Sequence, residues 1–352
     1  MTRLPTRTAE ISPRWRAADE SIDYDAVAPV PAITVVVSTY NRAQRLAETL
    51  RGVLDQDARG VRYEVLVVDN NSTDQTSAVV AAARRPDGVE VRYLFEPRQG
   101  IGFARNTGIE HARAPIIAFL DDDLDVPRDW LRCLLRTFRE HPDAMCAVGR
   151  ILPDWEAMPP PWLTERHWSP LAIMDFGDAD FAVDRNRPIC LMGGNLTCRR
   201  ELFERLGGFN PDFTRSEDHE LTNRVVAAGI KAIYAPWITI RSRIEPARMS
   251  KRYHRRWHYQ NGTWRALLNE PAERSSRFRV LGVPGYIVRE NLLDALPALA
   301  TAMLRGRLDD AFTHEVRIWH FAGFCVGRWF GRGRRRLIGT RGTRVWTSPI
   351  GP

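Results

Sequence analysis

Short, continuous apolar runs punctuate the first part of the chain. Ile33 to Ser38 reads ITVVVS, Glu64 to Val68 reads EVLVV, and Ile116 to Leu120 reads IIAFL, with a related run from Glu90 to Phe95. Such β-branched stretches, bounded by polar residues, mark strands buried on both faces. Between them the spacing becomes helical. Arg42 to Leu54 repeats Leu46, Leu50 and Val53, and helices are also expected over Asp74 to Ala83, Ile101 to Ala112 and Trp130 to Phe138. Ser72 with Gln75 predicts a capping box for the second of these, and Pro127 sits near the entry of the last. Strand–helix alternation sustained over about 110 residues predicts an α/β fold, a mostly parallel sheet flanked by helices. Ligands of such sheets bind at the carboxyl ends of the strands.

The texture then changes. Residues 152 to 188 are rich in Pro, Asp and Trp, including Trp155, Trp162 and Trp168, and predict a long functional loop. Ile189 to Cys198 reads as a strand broken at Gly193-Gly194, followed by helices over Arg200 to Leu206 and Glu217 to Ala228 and a strand over Lys231 to Ala235. From Ala247 the pattern is helical and Arg-rich, with two amphipathic helices expected within residues 285 to 330. The expected organisation is a flexible leader over residues 1–31, an α/β domain over 32–270, and a basic, mostly helical extension over 271–352.

Charge sharpens this division. The net charge is +8, and residues 271–352 hold 14 Arg, no Lys and 6 acids, a surplus that accounts for all of it. The basic character therefore belongs to the extension, as a solvated face or a contact for an anionic surface. The five cysteines, Cys133, Cys146, Cys190, Cys198 and Cys325, include no C-x-x-C pair. That pattern is neither a disulfide framework nor a zinc motif and fits a reducing compartment. No signal-peptide core and no apolar run of membrane-spanning length is present in the sequence. A cytoplasmic protein is expected, either free or at the inner face of the membrane.

Polar clusters follow three of the strands: Ser38-Thr39-Tyr40-Asn41-Arg42, Asp69-Asn70-Asn71-Ser72 and Asp121-Asp122-Asp123. A parallel sheet would bring these tips side by side. Three consecutive acids exceed what a helix cap needs, and a hard divalent cation would relieve their repulsion while binding substrate phosphates. Farther on, Glu217-Asp218 opens a helix. It supplies either a general base or, with Thr214, a capping box. His254 and His258 share a helix face in a basic stretch and read as packing or surface residues.

Taken in order, VVVSTYNR, VVDNNSTDQT, GFARNTGI, FLDDDLDVP, GGN and SEDHEL resemble a family 2 glycosyltransferase with the GT-A fold, over roughly residues 32 to 262. The resemblance implies a nucleotide-binding half over 32–125 and an acceptor half over 126–270. It implies that Thr39, Tyr40 and Asn41 line the donor pocket and that Asp69 bonds the donor base, although Asp69 serves equally as a strand-end turn residue. Gly100, Ala104, Arg105 and Asn106 match a helix opening near the nucleotide. Asp121 and Asp123 match the D-x-D pair, with Asp123 the favoured ligand of Mg²⁺ or Mn²⁺ and Asp122 a weaker donor contact. Gly193, Gly194 and Asn195 match a segment beside acceptor and donor sugar, and Glu217-Asp218 the pair whose Asp is the base of an inverting transfer. The chain departs from the pattern where many relatives carry a His: Trp237 to Met249 has none, but holds Arg241, Arg243 and Arg248.

The implied partners are a nucleotide-sugar donor, read as a UDP-sugar, and a saccharide or lipid-linked acceptor. Trp162 and its neighbours are candidates to stack on sugar or simply to pack. Phe321, Phe324, Trp329 and Phe330 before Arg332, Arg334, Arg335 and Arg336 suggest a peripheral membrane contact or a helix docked on the core. A nucleotidyltransferase would need a Gly-rich first loop, and STYNRAQR has no Gly. No nucleic-acid motif is present. A non-catalytic nucleotide-sugar-binding relative remains the alternative.

Overall fold

The computed structural model describes residues 31–58, 60–83, 88–268 and 271–331. The expected leader, save residue 31, and the arginines from Arg332 onward lie outside the described residues. The apolar runs form β1 (Ile33–Thr39), β2 (Tyr63–Asp69), β3 (Glu90–Phe95) and β4 (Ile116–Asp121). They pair in parallel, with β1 between β2 and β4. All of β1 and β2 is buried, which is why their sequences are continuous rather than alternating. The crossovers are α1 (Ala43–Leu54), α2 (Thr76–Ala83) and α3 (Ile101–His111). The expected Ser72–Gln75 capping box does not form. The Ser72 hydroxyl accepts from the Asn41 N–H instead, and the Asp74 carboxylate receives both the N–H and the hydroxyl of Thr76.

Beyond β4 the sheet becomes mixed. β5 (Leu124–Asp125), β6 (Cys146–Trp155), β7 (Phe181–Val183), β8 (Asn195–Arg199) and β9 (Ala232–Ile244) complete nine strands in the order β3-β2-β1-β4-β8-β6-β9-β5, with β7 also on β9. β8 runs antiparallel to β4 and β6, whereas β6 and β9 are parallel. The helices here are α4 (Trp130–Glu140), α5 (Arg200–Leu206) and α6 (Glu217–Ala227).

Two strand expectations need correction. The strand expected from Ile189 begins only at Asn195, because the chain turns at Gly193-Gly194 and the Asn195 N–H donates back to the Met192 carbonyl at 3.0 Å. The strand expected to end at Ala235 continues to Ile244 across an irregularity opposite Gly149 and Arg150. A Cβ on Gly149 would lie 1.8 Å from the Ile238 carbonyl oxygen. Asn195 plugs this irregularity. Its amide donates to the Arg150 and Ile238 carbonyls and accepts from the Trp130 indole N–H.

The C-terminal helices dock on the part of the domain that follows β5. α7 (Lys251–Leu268) runs beside α9 (Leu308–Phe330), with α8 (Ala295–Leu304) on the outer side of α9. The α7–α9 seam is built on glycine, since a Cβ on Gly262 would meet the His320 carbonyl oxygen at 2.0 Å and one on Gly323 the Tyr259 carbonyl oxygen at 1.8 Å. The first turns of α9 reach residues 152–188. Phe312 packs edge-on to Trp162 at 4.7 Å, Asp310 pairs with Arg166, and Thr313 bonds His167. Trp155, Trp162 and Trp168 pack against a small core of Leu163, Leu171, Ile173, Ile244 and Met249. Their role is packing, and the expected loop is a folded segment with two short 3-10 turns. No described helix is long and apolar enough to cross a membrane.

Two predictions concern stability. Gly323→Ala should cost at least about 1–3 kcal/mol by forcing the α7–α9 seam apart, read as a lower urea midpoint at unchanged slope. Burial pushes His254 and His320 down to about 4 and His258 to about 3, with neighbouring histidines adding to it at His254 and His258 and Arg265 at His320. The unfolded chain, with histidines near about 6.5, binds more protons across this window. Stability is therefore full above that value and drains as pH falls toward the folded values. The urea midpoint should drop between neutral pH and about pH 5, and His258→Phe should flatten the dependence. An identical slope in the variant would count against this origin.

Candidate active site

The strand register aligns the polar tips. Thr39 lies opposite Asp69 across β1 and β2, and Ser38 opposite Asp121 across β1 and β4. Ser38, Thr39 and Asp121 border a cleft of about 1110 Å³ that runs from the ends of these strands to α6 and α7. A smaller recess behind it is bounded by Gly193, Gly194, Asp121, Asp123 and Asp218.

Arg105, on α3, joins the two halves. Its side chain is 5% exposed and donates to Asp121 Oδ1 at 3.0 Å and to Glu217 Oε1 at 2.7 Å. Burial alone would weaken its charge, but Asp121, Glu217 and Asp218 outweigh it and raise the pKa. A Cβ on Gly193 would fall 2.2–2.4 Å from the Arg105 guanidinium, and one on Gly194 would fall 2.8 Å from Asp121 Oδ2. The two glycines are thus the space in which this ion pair network sits. Glu217 does not cap its helix. Ser216, in the left-handed region, precedes it without a side-chain cap, and the Glu217 carboxylate is spent on Arg105. Burial, then the adjacent Asp218, pushes Glu217 above the usual carboxylate range against the pull of Arg105. Asp218, one residue on, borders both cleft and recess.

The three consecutive acids have three different environments. Asp121 faces Arg105, and burial, then Asp123, raises its pKa. Asp122 is buried, accepting from the Thr39 hydroxyl at 2.7 Å and from Arg42 at 3.1 Å. Burial pushes it up to about 6, opposed by Arg42 and Thr39. Asp123 accepts from the same Arg42 nitrogen at 2.9 Å. Asp121 and Asp123 each keep one carboxylate oxygen free of hydrogen bonds among the described residues. Neighbouring carboxylate oxygens at the rim of an open cleft fit a hard divalent cation such as Mg²⁺ or Mn²⁺.

Some expected residues stand elsewhere. Thr39 and Tyr40 border the cleft, but Asn41 does not; it takes a left-handed φ of 52° and its side chain accepts from the Thr73 N–H. Asp69 is 2% exposed and holds its own loop, accepting from the Ser72 N–H at 2.8 Å and the Tyr93 hydroxyl at 2.7 Å. Its place at the cleft is taken by Asn70, whose side chain also fixes the Gly100 N–H at the opening of α3. Asn106 ties α3 to the backbone of Phe209 by a reciprocal pair of bonds. Asn195, 1% exposed, belongs to the sheet irregularity rather than to the cleft.

Other cleft residues escaped the sequence reading. Trp257, Asn261 and Trp264 share one face of α7, and their spacing of four and three was visible in HRRWHYQNGTW. Where a His was expected, Arg248 borders both cleft and recess, and its buried Nε has no partner. Arg243 instead pairs with Glu48, and Arg241 lies opposite Asp125 in the β5–β9 ladder.

Residues 34–207 match the model of glycosyl transferase family 2, and residues 185–256 match a model described as the N-terminal domain of galactosyltransferase. Among curated proteins, the chain is 28% identical over 189 residues to glucosyl-dolichyl phosphate glucuronosyltransferase of Haloferax volcanii, covering 53% of this chain and 58% of that protein. It is 30% identical over 234 residues to validoxylamine A glucosyltransferase of Streptomyces hygroscopicus, covering 58% of this chain and 54% of the relative. The match thus spans a little over half the length of these relatives. The solved mannosyltransferase of Pyrobaculum calidifontis, in complex with GDP-Man and Mn²⁺, shares the fold at a TM-score of 0.59 and 23% identity, over 90% of this chain and 93% of that one. With the family model running from β1 through the triple Asp to the end of α5, and its galactosyltransferase counterpart taking in Glu217-Asp218, the chain belongs to glycosyl transferase family 2.

Proposed function

We propose that this protein transfers a sugar from a nucleotide-sugar donor to an acceptor hydroxyl, with inversion at the anomeric carbon. The observation that carries this reading is the buried Arg105, which holds the donor-side Asp121 and the helix of Asp218 across one cleft. The donor is read as a UDP-sugar bound over the ends of β1, β2 and β4. Tyr40 and Asn70 border the base end, and Arg248 with its unpartnered nitrogen offers charge to the diphosphate. Asp121 and Asp123 are the residues to hold Mg²⁺ or Mn²⁺. A cation bound there would offset charge developing on the leaving diphosphate. Asp218 takes the proton of the acceptor hydroxyl as it attacks. The buried Glu217 keeps Arg105 in place.

The relatives support this class. One is named for transfer to a glucosyl-dolichyl phosphate, two others for succinoglycan biosynthesis. A saccharide acceptor, free or lipid-linked, is the corresponding proposal here, with work at the cytoplasmic face of a membrane. The contact surface differs from the one the sequence suggested. Phe324 is buried against α7, but Trp329 and Phe330 stay exposed beside the hairpin tip at Leu281, whose carbonyl accepts from the Trp329 indole. Leu281 is 80% and Phe330 77% exposed, with Arg277, Arg279 and Arg328 close in sequence.

Incubation with UDP-, GDP- and dTDP-sugars should show metal-dependent turnover of one donor. EDTA and Asp123→Ala should each abolish it. Asp218→Asn should lower turnover by at least about a hundredfold while leaving donor affinity by calorimetry within a few-fold. A variant that turns over normally would remove Asp218 from the mechanism. Separately, the protein should float with anionic liposomes, and Leu281→Asp with Phe330→Asp should prevent it. Flotation unaffected by the pair would refute this surface.

A further inference from the structure

A second set of donor atoms lies across the cleft from the triple Asp. Cys190, Asp218 and His219 each offer one ligand atom, and these atoms lie within 4.8 Å of one another. All three residues border the main cleft. The set is unlike the all-oxygen rim at Asp121 and Asp123. It combines a thiol, an imidazole and a carboxylate, the mixture that suits Zn²⁺ and that Mg²⁺ disfavours.

The fold prepares this arrangement. The segment of Cys190 is riveted to α6, because the Leu191 N–H donates to the Thr222 hydroxyl at 2.9 Å while that hydroxyl donates to the Asp218 carbonyl at 2.7 Å. One threonine thus fixes the sulfur-bearing segment against the helix turn that carries the other two ligands. Asp218 uses Oδ1 to accept from the His219 N–H, and the exposed His219 ring makes no hydrogen bond among the described residues. Three protein ligands leave a fourth position open to the cleft, where water or an acceptor hydroxyl can enter.

We propose that Cys190, Asp218 and His219 form a Zn²⁺ site that, when filled, withdraws Asp218 from proton transfer and switches the enzyme off. The inhibitory sense rests on Asp218 being the base; the binding site itself does not. On binding, the Cys190 sulfur loses its proton to solvent and bonds the metal, with no change of oxidation state. Asp218 then has a carboxylate oxygen committed to a cation and is a weaker base. The oxygen-only rim remains free for Mg²⁺ or Mn²⁺, so the two metals act at different places in one cleft.

The test uses the full-length protein stripped with EDTA and freed of chelator. Titration with Co²⁺, the spectroscopic stand-in for Zn²⁺, should give a near-ultraviolet thiolate-to-metal band that saturates at one equivalent and disappears when Zn²⁺ is added. Cys190→Ser should abolish the band, His219→Ala should weaken binding by at least about tenfold, and Cys133→Ser should leave both unchanged. Absence of the band in the wild type, or its survival in Cys190→Ser, would overturn the site. These readouts need no donor or acceptor, so they stand apart from the transfer reaction. In the transfer assay, Zn²⁺ should inhibit the Mn²⁺-supported rate in the wild type and much less in Cys190→Ser. Equal inhibition of both would overturn the off-switch while leaving a positive cobalt spectrum to stand.

Discussion

Everything at the centre of this molecule turns on one buried guanidinium. Arg105 reaches from α3 to Asp121 at the end of β4 and to Glu217 at the start of α6. A buried charge without partners is costly, and so is a buried carboxylate without a cation. Arg105 and Glu217 are both enclosed and need each other, while the more exposed Asp121 ties the pair to the rim of the cleft at the end of β4. The same pairing explains two glycines and an acid that do no chemistry of their own. Gly193 and Gly194 make room for the pair, and Glu217 balances it.

Charge economy also explains the acid run 121–123. Three adjacent carboxylates would repel, but the backbone sends them in different directions. Asp121 goes to Arg105, and Asp122 and Asp123 share Arg42 on the loop after β1. Arg42 is half exposed and can yield to a ligand, whereas Arg105 is enclosed and cannot. One side of the cleft is thereby lined by an exposed, exchangeable ion pair and the other by an enclosed one.

Much of this was legible in the sequence because it depended on local pattern. Continuous apolar runs gave the parallel strands, and polar residues directly after them gave the rim. The triple Asp was visible as acids in excess of capping needs, whereas Glu217-Asp218 read equally as a base or a capping box. What escaped depended on partners distant in sequence. Nothing near Asp69 says that Tyr93 will claim its carboxylate, and nothing near Asn195 reveals an irregularity between β6 and β9 that its amide must fill. Trp162 looked available for sugar because its loop is polar, yet Phe312, far along the chain, covers it. Gly323 and Gly327 stand four apart in α9, but that this face meets α7 appears only when the two helices touch.

That seam bears on how such a protein diversifies. α7 presents Trp257, Asn261 and Trp264 to the cleft and Gly262 to α9. The cleft wall on α7 is therefore positioned by a helix beginning some forty residues after α7 ends. A chimera that borrows α7 alone from a relative inherits that wall without its brace. Recombination among such proteins should respect a unit running from the end of β9 through Phe330, and the lining of this side of the cleft should move with that whole unit.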